Sequence, residues 1–164
     1  MRKAHQALAI LVEEGYHPVV IGQSQHVEVR GLVGDFPQAS VLLNEAEAAL
    51  IAPHAKLGVT SQTTQPLERV LQLVQALKET HPHFEVRFID TVCHPTKERQ
   101  TALEALCRNC EIVIIIGEKN SNNTLQLTEK ASRLGVRAHR IETPEDRQEE
   151  WFTGITEVRH LHAR

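Results

Sequence analysis

Apolar positions along this chain switch repeatedly between helical and strand spacing, and the switching sets the order of elements. Ala7, Ile10 and Leu11 fall at helical spacing within residues 3–14, and Gly15 sits where a helix closes. Residues 17–22 (HPVVIG) then read as a short strand, followed by a polar loop over 23–31. Residues 40–43 read as a second strand, and Asn44 is placed to cap a short helix over 45–51. A third strand is predicted at 56–60 (KLGVT), then a turn at 61–65. Pro66 suits a first helical turn, and Leu67, Val70, Leu71, Val74 and Leu77 form the apolar stripe of the helix that follows.

The pattern breaks at residues 80–83 and resumes. Residues 85–90 (EVRFID) alternate like a strand, and 96–107 are helical. Ile112, Val113, Ile114, Ile115 and Ile116 run without a polar break into Gly117, as in a parallel strand covered on both faces. A polar turn follows, then a helix over 125–134 ended by Gly135, and a strand over 136–141. Such alternation implies right-handed crossovers and an α/β fold. The expected organisation is two small parallel-sheet α/β domains, residues 1–83 and 84–158, with 159–164 an irregular tail.

Composition narrows the class. Hydrophobic residues make up 41% of the 164 and charged residues 24%, a globular balance, and a net charge of −3 with mixed signs leaves no nucleic-acid footprint. No apolar run reaches membrane-span length, and no signal peptide is read at Met1. Cys93, Cys107 and Cys110 make an odd count without scaffold spacing, which fits a reducing, cytoplasmic compartment. Aromatics are only 4%, so the core must be aliphatic.

Ligands of open α/β sheets bind beyond the carboxyl ends of the strands, and three loops there carry chemistry. In GQSQHVEVRG, His26 and Glu28 lie two residues apart and, if the loop is extended, on one side. In TSQTTQP, Gln62, Thr63 and Thr64 follow a strand. The turn Lys119–Asn120–Ser121–Asn122–Asn123 opens a helix, where unpaired N–H groups and the helix dipole favour an anion and the amides and hydroxyl add donors. Each loop also reads as plain helix capping or exposed polar surface. Cys93, just ahead of a helix, is either a nucleophile or metal ligand or a small buried apolar residue. The pair Cys107 and Cys110 sits at a helix C-terminus, where the dipole opposes a thiolate, and reads as structural. A helix at roughly 1.5 Å per residue puts Cys107 about 20 Å from Cys93, too far to share a metal. His5, His17, His54, His81, His83, His139, His160 and His162 show no ligand-like pairing, and the last two read as solvated.

The stretches KAHQAL, GYHPVVIGQSQHVEVRGLVGDF, VTSQTTQP, DTVCHPTKERQTALEAL, EIVIIIGEKNSNNTLQLTEKA and the EEW ending at Trp151, in this order, resemble the 4-hydroxy-3-methylbut-2-enyl diphosphate reductase family. The resemblance runs to about Val158. It implies a reductive dehydroxylation that yields isopentenyl and dimethylallyl diphosphates in isoprenoid biosynthesis, with ferredoxin or flavodoxin as electron donor. The family has three similar α/β domains around a 4Fe-4S cluster held by three cysteine thiolates, and the resemblance implies that residues 1–83 are the second of these and 84–158 an incomplete third. By the same resemblance, Cys93 is a cluster ligand and Glu28 supplies the proton to the departing hydroxyl. His26 contacts the diphosphate, Thr63 positions the substrate hydroxyl, and Ser121, Asn122 and Asn123 clamp the diphosphate. It also implies a fragment: the family's KAH follows a Cys-Pro segment of a preceding domain, and its later Gly-(Ile/Val)-Thr-Ala-Gly-(Ala/Thr)-Ser motif reads GITEVRHLHAR here. One of three cluster thiolates is then present, and the chain alone is expected to be inactive. The alternative expectation is a non-redox diphosphate- or phosphate-binding α/β module using Ser121, Asn122, Asn123, His26 and Thr63.

Overall fold

The structure, a computed structural model, describes residues 2–52 and 55–163; Met1, Pro53, His54 and Arg164 lie outside them. The chain divides into two compact units, Met1–Cys93 and His94–Arg164. The first contains α1 (Arg2–Glu13), β1 (His17–Ile21), α2 (Val27–Asp35), β2 (Ser40–Leu42), α3 (Glu45–Ala48), β3 (Lys56–Ser61), α4 (Leu67–Thr80) and β4 (Glu85–Phe88). Its sheet is parallel in the order β2-β1-β3-β4, with Val19 opposite both Ser40 and Val59, and Val59 opposite Phe88.

Helical spacing decides which face each helix covers. On α4, Val70, Leu73, Val74 and Leu77 are buried at i, i+3, i+4 and i+7, and they pack with Val19, Ile21, Leu57 and Val59. Ala4 and Leu8 of α1 and Val29 and Leu32 of α2 cover Val20 on the opposite face. Gly58 lets α1 lie this close: a Cβ there would sit 2.8 Å from the Leu11 Cβ and 2.9 Å from the Tyr16 Cβ. Asn44 caps α3 through a reciprocal capping box with Glu47.

The second unit contains α5 (His94–Cys107), β5 (Ile112–Ile116), α6 (Asn122–Arg133), β6 (Arg137–Ile141), two short 3-10 turns (Pro144–Asp146 and Glu149–Phe152) and β7 (Val158–His162). Its parallel sheet has the order β6-β5-β7. Leu103, Leu127 and Ala131 of the helices pack on Val113 and Ile115, while Trp151, Phe152 and Ile155 cover Ile112 and Ile114. The unbroken aliphatic run of β5 follows from this double cover.

Three expectations need correction. The strand at 85–88 does not open the second domain but pairs with β3, Lys56 opposite Glu85 through Val59 opposite Phe88, and the division falls after Cys93 rather than at 84. Its alternation is identical in either sheet; what assigns it is the packing of Val86 and Phe88 on the first core. The expected tail at 159–164 is mostly strand: β7 pairs with β5 from Val158 to His162, although its residues are mainly polar, because β5 presents backbone groups on both sides. His160 and His162 are exposed, as expected. Finally, part of the expected loop at 23–31 is α2. Gly31 and the β-branched Val27 and Val29 are poor helix formers, and burial of Val29 and Leu32 overrides that preference.

Candidate functional site

In the first unit the chemistry gathers where β1 and β3 end. His26 is the N-cap of α2, and its Nδ1 accepts a hydrogen bond from Glu28 N at 3.2 Å. With Nδ1 accepting, the neutral ring carries its proton on Nε2. The first helical turn carries Glu28 inward, only 4% exposed. Its Oε2 accepts from the Thr63 backbone N–H at 3.0 Å and the Thr63 hydroxyl at 2.9 Å. His26 and Glu28 are therefore related by a helix cap, not by an extended stretch.

Thr63 also reaches the next strand's exit. Its carbonyl accepts from Cys93 N at 3.0 Å. The segment leading to Cys93 is stitched to β3 by Thr91, whose hydroxyl accepts from Ser61 N at 2.9 Å and donates to Ser61 O at 2.6 Å. Glu28, Thr63 and Cys93 thus form one hydrogen-bonded run from α2 across the end of β3 to the exit of β4. Gln62, fully buried, supports it by accepting from Gln23 N at 3.1 Å and from Gln65 at 3.3 Å and donating to Thr64 at 2.9 Å. The sequence pattern singles out neither Thr91 nor Gln65. The signal for either is a polar residue that continues a strand's alternation or closes a turn before proline.

Beside this run, a cavity of about 340 Å³ is lined by Arg2, His5 and Gln6 of α1 and by Glu28, Gly31, Leu32 and Asp35 of α2. His5 Nε2 lies 3.1 Å from Asp35 Oδ2 in its wall.

The second unit carries the other set. Ser121 caps α6, its Oγ accepting from Thr124 N at 3.4 Å. Asn122 and Asn123 form the first turn, and Asn123 Nδ2 donates to Ala163 O at 2.9 Å, tying the turn to the chain beyond β7. Gly117 is required here, because a Cβ would run into Thr124 Oγ1 and lie 2.9 Å from the Ala163 Cβ. Asp146 is held near this turn. Backbone N–H bonds from Thr143 and Glu142, with Lys119 next, lower its carboxyl to about 2.

The 4Fe-4S cluster that the resemblance implies needs several thiolates in one place. Cys93, Cys107 and Cys110 are all half-buried, and none of the three is in a disulfide. Burial pushes the thiols of Cys107 and Cys110 up, and both pack on the second core at the far end of α5. Among the described residues no group of three or more His, Cys, Asp or Glu is placed to hold a metal ion. These residues by themselves do not fit a 4Fe-4S cluster, which needs more than one thiolate. Among the described residues no helix is long and apolar enough to cross a membrane.

The architecture is parallel α/β with polar loops at the carboxyl ends of its strands, the edge at which open α/β sheets bind ligands. The LytB protein family matches residues 1–159, and the chain belongs to that family. It is 35% identical over 159 residues to the 4-hydroxy-3-methylbut-2-enyl diphosphate reductase of Geobacter metallireducens, covering 96% of this chain and 56% of that protein. Identity to the Psychrobacter arcticus reductase is 32% over 163 residues, covering 95% and 51%. The solved E-1-hydroxy-2-methyl-but-2-enyl-4-diphosphate reductase of Plasmodium falciparum superposes with a TM-score of 0.89 at 25% identity, over 98% of this chain and 52% of that one. A second solved (E)-4-hydroxy-3-methyl-but-2-enyl diphosphate reductase gives a TM-score of 0.58 at 32% identity, over 98% and 58%. The chain spans about half the length of the curated relatives it matches.

Proposed function

We propose that this chain carries the proton-delivery and diphosphate-binding parts of a reductase that removes the hydroxyl of 4-hydroxy-3-methylbut-2-enyl diphosphate, a step of isoprenoid biosynthesis in the cytoplasm. The observation that carries the reading is the run Glu28–Thr63–Cys93, in which a buried carboxyl is oriented by the same threonine that bonds the cysteine segment. Hydroxide is a poor leaving group, and protonation lets it depart as water. With Oε2 engaged twice by Thr63, the proton of the acid form sits on Oε1, so Thr63 fixes the direction of delivery. Its own hydroxyl lies beside that carboxyl, where it can also bond the substrate oxygen. His26, capped through Nδ1, presents Nε2–H as a donor to phosphate oxygen. Ser121, Asn122 and Asn123 add uncharged donors at a helix N-terminus.

Reductive loss of the hydroxyl needs two electrons, for which ferredoxin or flavodoxin is the proposed source. Cys93 contributes a single thiolate toward the family's cluster, which one thiolate does not hold by itself. The 164-residue chain alone is accordingly proposed to be inactive in reduction while retaining its anion-binding loops. The same loops support the second reading, a non-redox diphosphate-binding module, because Ser121 and its helix need no cluster.

Anaerobic reconstitution with iron and sulfide, followed by calorimetry with inorganic diphosphate, tests both readings. The expected result is weak iron binding without a stable visible absorbance band, lost in Cys93→Ser and kept in Cys107→Ser, together with measurable diphosphate binding that weakens in Ser121→Ala. A stable cluster on the Cys93→Ser chain overturns the assignment of Cys93, and absence of binding heat overturns the anion loops.

A further inference from the structure

Lys119 stands two residues before the Ser121 cap, and an ammonium there is an obvious partner for a polyanion. The structure commits it elsewhere. Glu118 O accepts from Ser121 N at 3.0 Å, which makes residues 118–121 a hydrogen-bonded turn with Lys119 at its centre. Lys119 Nζ lies 3.0 Å from Asp146 Oδ1, and its carbonyl accepts from Arg140 Nη1 at 3.1 Å. The turn is thus held through both the side chain and the main chain of one residue.

Asp146 is itself anchored. Its Oδ2 accepts from Glu142 N at 2.9 Å and Thr143 N at 3.0 Å, and its own N–H donates to Thr143 O at 3.2 Å. The two carboxylate oxygens divide the work: Oδ2 closes the turn after β6, and Oδ1 faces Lys119. The low value of this carboxyl comes first from those backbone bonds, so the anion is in place whether or not Lys119 is. Arg140, the penultimate residue of β6, reaches the Lys119 carbonyl, so the strap ties the end of β6 to the exit of β5.

We propose that Lys119, Arg140 and Asp146 are positioning residues that hold the turn opening α6 in its anion-binding shape, Lys119 acting through Asp146 and not by touching the phosphate. The inference rests on the reading of Ser121–Asn123 as a diphosphate loop. It makes a prediction opposite in sign to that of a direct lysine contact. If Lys119 gripped the anion, replacing Asp146 by a neutral residue would free the ammonium, remove a nearby negative charge and tighten binding. If the strap shapes the turn, the same replacement loosens binding.

The test uses the full chain, the variants Asp146→Asn, Lys119→Met, Lys119→Arg and the Lys119→Met/Asp146→Asn double, and inorganic diphosphate as probe. Asp146→Asn is expected to weaken binding by about 2- to 5-fold, the range of an exposed charge pair. Lys119→Met should match it, the double should be no worse than either single, and Lys119→Arg should stay near wild type. Amide hydrogen exchange of residues 118–124, measured without ligand, should quicken in Asp146→Asn while exchange in β5 is unchanged. Tighter binding in Asp146→Asn, or a double variant that loses the sum of both singles, overturns the strap. If the unsubstituted chain binds no diphosphate, the reading of the loop fails, but the exchange arm still decides: unaltered exchange at 118–124 overturns the strap on its own.

Discussion

Replacing Thr63 by valine isolates the contact on which the proposed proton delivery rests. The substitution keeps the backbone N–H that reaches Glu28 at 3.0 Å and deletes only the hydroxyl bond at 2.9 Å. Hydrogen bonds to charged groups contribute about 1.5–3 kcal/mol and neutral ones about 0.5–1.5 kcal/mol. Glu28 is 4% exposed, so water does not readily replace the lost donor. Thr63→Val should therefore cost about 1.5–3 kcal/mol in the native background and about 0.5–1.5 kcal/mol in the Glu28→Gln background. The difference, about 1 kcal/mol, is the charge-dependent part of the coupling. At about 4–8 °C per kcal/mol for a unit of this size, it is readable in thermal melts. Urea denaturation of the four members of the cycle, followed by far-UV circular dichroism, gives the energies. Hydrogen exchange across β3 assigns them to the first unit. The chain has a single tryptophan, Trp151, in the second unit, so its fluorescence serves as the internal control. An equal cost of Thr63→Val in both backgrounds would show that Glu28 is not held as a carboxylate by this hydroxyl.

Gly58→Ala should destabilise the first unit by about 1–3 kcal/mol, since the colliding Leu11 and Tyr16 Cβ atoms cannot rotate away, and a denaturation midpoint equal to wild type would refute the close approach of α1. Cys107 and Cys110, raised by burial, hold less thiolate than free cysteine at pH 8; mass spectrometry should find them alkylated slowly in the folded chain and rapidly after denaturation. Burial first, then Arg137, lowers His139, which stacks on Trp151 at 4.0 Å between centroids. The folded state therefore resists protonating this ring, so its share of stability is lost as pH falls below about 6.5, the unfolded value. Trp151 fluorescence should drop as the ring finally protonates below that value, and a drop that persists in His139→Gln would discard the assignment.

Much of the fold was readable because its information is local. The run at β5 and the helical stripe of α4 identify themselves, and Gly15 and Gly135, both at φ 82°, close helices where positive φ suits glycine. What could not be read depends on partners distant in sequence. The alternation of β4 says that it is a strand but not which sheet it joins, and β7 owes its conformation to the exposed edge of β5 rather than to its own side chains. For α2, burial against α1 outweighs weak helix formers. The site divides the same way. Glu28, Thr63, Cys93 and Ser121 stood out by residue type at strand ends. Their connection through Thr63, the scaffolding by Thr91 and Gln62, and the tie of Lys119 to Asp146 arise only in the folded chain, because each joins loops far apart in sequence.

The bond from Asn123 to Ala163 spans 40 residues, and Ala163 N in turn donates to Ile116 O at 2.8 Å. The loop that opens α6 is therefore flanked by a strand synthesised long after it. During translation the Ser121 turn can form its local cap early, but its packing against residue 163 must wait until that residue has left the ribosome. Parallel pairing at such separation is slow relative to helix formation. A nascent chain stalled before β7 should consequently hold α5 and α6 as helices with the Ser121 turn still unshaped, so that the proposed anion binding would arise last in the maturation of this unit.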